Sequence, residues 1–517
     1  MLRSSQATPH HTAALALAVC TTICLPASAQ QNNAKPEADW VIAFESGLRA
    51  GVRPAGEGAV RWTLEERMAH YKVPGVSIAV LRGGEVVWAK GYGQANVDSA
   101  AAVDQETVFS VGSLSKTGAA MAALKLADQG KVGLDQDVNK VLKQWRAPAG
   151  DNAAPLTLRM LLSHTAGLNN HGFADFGPEE ALPDTVQILE GSGPAKNGRV
   201  KLSHEPGKTY DYSGGGTTVA GLVVEDVMGL PFPQAADVLV FEPLGMQRTT
   251  FEVPLPPTTT NIAFAHDEDG RLTALPRGYH SFPETAASGL WTTPTDYGAM
   301  LGALWSAYSG ADTQYLSRDT AVAALTQVWP STHALGPQII SGPTGKWMHH
   351  TGANEAYRAT YDVDLGSGDG AVIFTNGSGG SVLFSEILRS LSDALNWGRS
   401  PEYIAIEPPA TLLTELEGDY ELSRSMDIYD TLPPADIPDE IEVSIEGKTL
   451  MATSGGILGI GEEERVLHAI TPTSYLSGDA KEYIEFIIDT SGEVVGLSYK
   501  RGYSYVIENR RDFYSKD

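Results

Sequence analysis

Cysteine is nearly absent from this chain. It occurs twice in 517 residues, at Cys20 and Cys24. Beyond Cys24 there is no thiol, which excludes a disulfide-stapled scaffold and a cysteine zinc site there. Positive charge is also scarce: 37 Lys and Arg stand against 63 Asp and Glu, a formal charge of −26. A surface of that sign repels phosphate, so neither nucleic acid nor anionic lipid is an expected partner. After the first 25 residues no apolar run is long enough to span a bilayer. The sequence lacks H-E-x-x-H, an EF-hand loop, a Walker-type G-x-x-x-x-G-K-[ST] and G-x-G-x-x-G. No metal and no cofactor is therefore expected. No serine lies in G-x-S-x-G, which argues against an α/β-hydrolase nucleophile elbow.

What remains is a globular composition, 42% apolar and 19% charged, in a chain long enough for more than one domain. The first 29 residues read differently. Arg3 is the lone charge before the apolar stretch Thr12–Leu25, and Pro26-Ala27-Ser28-Ala29 follows. A basic start, a short apolar run and an A-x-A site make a secretory signal peptide over residues 1–29. That pattern predicts a periplasmic or secreted protein whose leader removes both cysteines. Val19 stands where a lipoprotein box carries a small residue.

Charge then divides the chain. Residues 401–517 hold 24 acidic and 9 basic side chains, and residues 30–400 hold 39 and 27. The step falls at Glu407-Pro408-Pro409-Ala410, where a domain linker is expected. Ahead of it, Gly75–Arg82 and Val86–Tyr92 are β-branched runs joined by Gly83-Gly84-Glu85, a hairpin signal. Ser113–Gln129 reads as a buried helix stopping at Gly130. Thr157 is positioned to cap a short helix through Leu162. Strands are predicted at Glu355–Asp364 and Gly370–Asn376, then a helix over Leu383–Trp397. Asn169–Val200 reads as a long loop. In the tail, Ile441–Ile445, Tyr483–Ile488 and Tyr503–Ile507 alternate between short turns, which predicts a small all-β barrel or sandwich over 411–517.

Three segments carry chemistry. Ser113 and Lys116 form the chain's single S-x-x-K, at the start of the predicted helix. The spacing puts both on one face, one turn apart. A serine hydroxyl needs a neighbouring base to act as a nucleophile, and burial lowers a lysine pKa. The helix start adds N–H groups toward developing oxyanion charge. The second segment is Tyr212-Ser213-Gly214-Gly215-Gly216, where glycines would allow a close turn. The third is His350-Thr351-Gly352-Ala353, placed just before a strand. Taken singly, the tyrosine and the histidines are as readily structural as functional. Lys116-Thr117-Gly118 lies on the Ser113 helix and is a coincidence.

In this order the three segments resemble the serine β-lactamase and penicillin-binding-protein superfamily, in its class C-like branch. Leu161–Leu168, Phe241–Met246 and Ala287–Thr293 are similar to it too, and the likeness runs from about residue 55 to 400. It implies an α+β fold over residues 30–400: an antiparallel sheet flanked by helices, with an all-helical subdomain. The acidic tail resembles an accessory domain. The resemblance further implies Ser113 as the acylated nucleophile, Lys116 as the group that primes it and Tyr212 as a proton shuttle. Backbone N–H groups of Ser113 and Ala353 would form the oxyanion hole, and Ser213, Gly214, His350, Thr351 and Gly352 would bind substrate. Which of Lys116 and Tyr212 is the base stays open. Two positions depart from the pattern. Gly214 stands where an asparagine is usual, and His350 stands where lysine is usual. Both favour an ester or a small amide or peptide substrate over a β-lactam or a D-Ala-D-Ala terminus. A non-catalytic binding protein on the same fold is the alternative of another class. His164 is read as structural, holding the loop after its helix.

Overall fold

The computed structural model describes residues 38–150, 154–275, 277–427, 440–454, 463–478, 482–501 and 510–516. The leader (1–29) and the alternating stretch Tyr503–Ile507 lie outside the described residues.

Gly75–Arg82 (β1) and Glu85–Asn96 (β2) form the expected hairpin. Gly83 and Gly84 close it at φ 58° and 78°, the left-handed geometry of a two-residue turn that follows strand twist. Ala101–Ala102 (β3) pairs with the end of β2. Four later strands complete the sheet: Gln338–Gly342 (β4), Gly345–Ala353 (β5), Arg358–Asp364 (β6) and Gly370–Thr375 (β7). Their order is β3-β2-β1-β7-β6-β5-β4, antiparallel throughout.

Alternation along the central strands sends side chains into two cores. Ile78, Val80, Ala371 and Ile373 join the core beneath Asp39–Glu45 (α1) and Gly380–Leu395 (α6). Leu81, Val372 and Phe374 join the larger core on the other face. That core holds Ser115–Asp128 (α2), Leu158–Leu162 (α3), Gly214–Met228 (α4) and Pro294–Ser309 (α5). α2 is buried nearly all round, and its run of alanines lets α4 lie close. Thr157 caps α3, its hydroxyl accepting from Met160 N at 3.3 Å. The strand expected from Glu355 starts instead at Arg358, because Ala356 takes a left-handed turn at φ 59°. Helix α6 starts at Gly380, ahead of the expected Leu383. Asn169–Val200 is mostly irregular, but it contains a helix at Thr185–Glu190 started by an Asp184/Gln187 capping box.

The tail is an eight-stranded closed antiparallel barrel. Its strands are Gly418–Asp427 (β8), Glu440–Glu446 (β9), Thr449–Ser454 (β10), Glu463–Ala469 (β11), Ser474–Ser477 (β12), Glu482–Ile488 (β13), Val494–Arg501 (β14) and Arg510–Lys516 (β15). Closure leaves no sheet edge to template aggregation. Tyr420, Tyr475, Phe486, Tyr499 and Tyr514 fill its interior with aliphatic neighbours. The expected linker is followed at once by a helix, Ala410–Leu416, whose Leu413 and Leu416 belong to that interior. Val52–Arg53 pairs in parallel with Tyr403–Ile404, and Val52, Ala405 and Leu476 share a small core where the barrel docks. Among the described residues no helix is long and apolar enough to cross a membrane.

Candidate active site

The S-x-x-K segment begins with a single 3₁₀ turn, Gly112–Leu114, that runs into α2. Ser113 sits on that turn, half-buried at the floor of a cleft of about 820 Å³. The turn is stitched from several sides. Ser115 Oγ donates to Gly112 O at 2.6 Å and accepts from Leu290 N at 2.9 Å. Tyr297 OH donates to Leu114 O at 2.9 Å. Asn354 Nδ2 donates to Ser110 Oγ at 2.7 Å and to Ser288 O at 3.1 Å, tying the far end of β5 to the same region. Two glycines make the approach possible. A Cβ on Gly112, which sits at φ 52°, would lie 2.6 Å from Ala353 O, and one on Gly352 would lie 1.9 Å from Val111 O. The Ser113 turn thus rests directly on the backbone of β5.

Lys116 is 3% exposed. Its Nζ donates to Ser113 Oγ at 3.2 Å and to Ala287 O at 2.9 Å, and stands 4.9 Å from the centre of the Tyr212 ring. Both hydrogen-bond partners are uncharged oxygens, and burial pushes the lysine down to about 7. Burial pushes the Tyr212 phenol upward instead, and its hydrogen bond with Ser113 opposes only part of that rise. Around neutral pH the site therefore holds an amine that titrates and a phenol that keeps its proton. Hydroxyl, amine and phenol converge at one point.

The third segment differs from the expectation. His349 and His350 lie inside β5, which starts at Gly345, and not ahead of a strand. Alternation then separates them. His350 faces the cleft, while His349 bonds Asp362 through Nδ1 at 2.5 Å. His350 Nδ1 donates to Thr351 O at 2.6 Å, and burial lowers this imidazole to about 3. Among the described residues, nothing bonds the buried His350 Nε2. Thr351, Gly352 and Ala353 line the cleft with it.

Two expected substrate-binding residues are placed elsewhere. Ser213 is the N-cap of α4; its Oγ accepts from Gly216 N at 2.8 Å and donates to Asn169 O at 2.7 Å. Gly214 is buried in the first turn of that helix. A Cβ there would meet Phe173 at 2.8 Å, and one on Gly215 would meet Asn169 O at 2.7 Å. The glycine run serves helix–loop packing and does not form a tight turn.

Several cleft residues had no local signal. His333 and His171 border Tyr212 at ring-centre distances of 5.9 and 4.9 Å, and Tyr210 stacks on His333 at 5.7 Å. Their positions depend on loops far apart in sequence. His164, read as structural, packs its ring 4.3 Å from that of Tyr212. Among the described residues no group of three or more His, Cys, Asp or Glu is arranged to hold a metal ion.

An antiparallel sheet lies under helices, and serine, lysine and tyrosine meet at their junction, an arrangement chemically suited to acyl transfer at Ser113. The chain belongs to the Beta-lactamase family, whose model matches residues 60–394. Among curated relatives, Protein flp of Staphylococcus aureus (strain MW2) is 28% identical over 234 residues, 45% of this chain and 44% of that protein. Esterase EstB of Burkholderia gladioli is 28% identical over 230 residues, 42% of this chain and 58% of that protein. The chain thus spans about half the length of the curated relatives it matches. The octameric penicillin-binding protein homologue from Pyrococcus abyssi superposes with a TM-score of 0.56 at 23% identity, covering 87% of this chain and 98% of that one. EstCE1, described as a hydrolase with promiscuous acyltransferase activity, gives 0.52 at 24% identity, covering 63% and 96%. At these identities the structural likeness is one of fold.

Proposed function

We propose that this protein is a serine hydrolase that works through an acyl-enzyme on Ser113 and takes ester or small amide or peptide substrates. The observation that carries the reading is the convergence on one hydroxyl: Lys116 Nζ at 3.2 Å and the Tyr212 phenol hydrogen-bonded to it. In acylation the neutral Lys116 amine takes the Ser113 proton as Oγ bonds the substrate carbonyl carbon. The carbonyl electron pair moves to oxygen, which accepts from the backbone N–H groups of Ser113 and Ala353. The oxyanion then re-forms the carbonyl as the bond from carbon to the leaving group breaks; the Tyr212 hydroxyl protonates the departing group and is reprotonated from Lys116, so no net charge accumulates. Water then attacks the ester along the reverse route. The match to an esterase, EstB, supports an ester among the substrates.

The substrate preference rests on His350 and Gly214. A neutral imidazole presents no cation to a substrate carboxylate, and glycine supplies no side-chain amide. This disfavours the β-lactamase and D-Ala-D-Ala carboxypeptidase readings. Persistence of all three reactive groups disfavours a purely binding role. Ser113→Ala is expected to abolish covalent labelling by a fluorophosphonate probe, and labelling that persists would overturn the proposal. Turnover is expected in the order p-nitrophenyl ester, D-alanyl p-nitroanilide, nitrocefin; nitrocefin as the fastest substrate reverses the preference.

We further propose export through the 1–29 leader, on its charge and A-x-A pattern. Intact-mass measurement of the protein from its native host is expected to give a chain starting at Gln30. A chain retaining Met1 contradicts export by this route.

A further inference from the structure

The phenol at this site has no helix of its own to stand on. Tyr212 lies in irregular backbone one residue before the N-cap of α4. What surrounds that segment decides where its hydroxyl points. The turn after α3 carries the segment on backbone bonds: Gly207 N donates to Thr165 O at 2.7 Å, and Asp211 N donates to His164 O at 2.9 Å. The ring of His164 adds a bond of its own. Ser213 N donates to His164 Nδ1 at 3.2 Å. An imidazole nitrogen that accepts carries no proton, so this ring is the neutral Nε2–H tautomer. The same ring lies against the Tyr212 ring, 4.3 Å between centres and 36° between planes, with His333 edge-on behind it at 4.9 Å. His164 is 2% exposed. It takes φ 59°, a left-handed conformation uncommon for a residue of its size. Strain of this kind persists where the surroundings over-determine it, often beside reacting groups.

From these contacts we infer that His164 is a positioning residue for Tyr212: its Nδ1 tethers the backbone on one side of the tyrosine while its ring walls the phenol toward Ser113. The inference rests on the acyl-enzyme reading above. It assigns His164 no proton transfer. Without that bond and that ring against it the phenol can shift within its segment, and a misplacement of about 1 Å costs on the order of 10²-fold in rate. The loss falls on the chemical step and not on substrate binding.

The test is a double-mutant cycle read in kcat and KM with a p-nitrophenyl ester. His164→Leu is expected to lower kcat by about 10–100-fold with KM within about threefold. His164→Asn places an acceptor oxygen where Nδ1 stood and tolerates the left-handed backbone, so it recovers most of the loss. In a Tyr212→Phe background, His164→Leu is expected to cost less than about twofold, since the hydroxyl it positions is gone. Full additivity in that background, or a loss carried by KM, overturns the inference. Should His164→Leu fail to fold, His164→Asn against His164→Gln decides. Gln carries its acceptor one methylene further out, and equal activity of the two overturns the inference. If the wild-type protein leaves a fluorophosphonate unreacted, the acyl-enzyme reading falls and this inference with it. If it reacts and the variants match it in kcat, only the role of His164 falls.

Discussion

Replacing Lys116 by methionine is expected to lower kcat/KM for an activated ester by about 10³–10⁴-fold while making the protein more stable. The loss follows from the removal of the general base proposed above, worth about 10²–10⁴ in rate. The gain follows from the environment. Lys116 is buried on the alanine-rich α2, and its hydrogen-bond partners, Ser113 Oγ and Ala287 O, carry no charge to offset its own. Burial that lowers its pKa from 10.5 to about 7 is an energetic penalty on the protonated form. Methionine has similar volume and no charge, so the melting temperature is expected to rise by on the order of 5 °C at pH 6.

The pH dependence has a definite sign. The unfolded chain holds the lysine proton up to 10.5, and the folded chain releases it near 7. Between these values the unfolded state binds more protons, so wild-type stability rises with pH. The gap to Lys116→Met is widest below pH 7 and closes toward the unfolded value of 10.5. Activity follows the same titration: kcat/KM is expected to climb through about pH 7 as the amine becomes a base. It then stays level, because burial holds the Tyr212 phenol protonated well past its ordinary range. A profile that peaks and falls before about pH 9 contradicts these assignments, as does a Lys116→Met protein that retains turnover.

The second large effect is expected at Gly352. Its missing side chain is what lets β5 lie against the turn before Ser113, since a Cβ would stand 1.9 Å from Val111 O and 3.0 Å from a Leu114 methyl. The carbonyl belongs to the backbone and cannot swing aside. Gly352→Ala must push β5 away from the Ser113 turn. The cost is about 3 kcal/mol of stability, at the severe end of core overpacking. It also moves Ala353 N relative to Ser113 N. Separating the two proposed oxyanion donors should cost about 10²–10³ in kcat even in protein that remains folded. Urea unfolding and kcat measured on one preparation check both halves. An alanine variant with wild-type stability and kcat would show that β5 and the turn are not held together by this contact.

The amino-acid sequence by itself determined the local elements and the placing of Ser113 and Lys116 one turn apart. The hairpin at Gly83-Gly84, the α2 stop near Gly130 and the cap at Thr157 are each set by backbone geometry that few residue types satisfy. The S-x-x-K spacing likewise places serine and lysine one helical turn apart without help from any other segment. Only the tertiary structure decided what lies around them. His349 and His350 are neighbours in sequence and look like one motif ahead of a strand. The strand in fact begins at Gly345, and its pairing with β6 sends one ring to the cleft and the other to Asp362. Ser213 and Gly214 likewise look like cleft residues beside Tyr212, but the start of α4 uses one as its cap and the other as a packing surface.

His164 and His171 reach Tyr212 from the irregular segment after α3, and His333 from a loop far along the chain. The depressed lysine depends on the same long-range assembly, since desolvation comes from everything packed around a group and not from its neighbours in the chain. Short-range sterics and hydrogen bonding write the elements into the sequence. The cleft's shape and its proton affinities come from contacts between segments far apart in the chain, which exist only once it has folded.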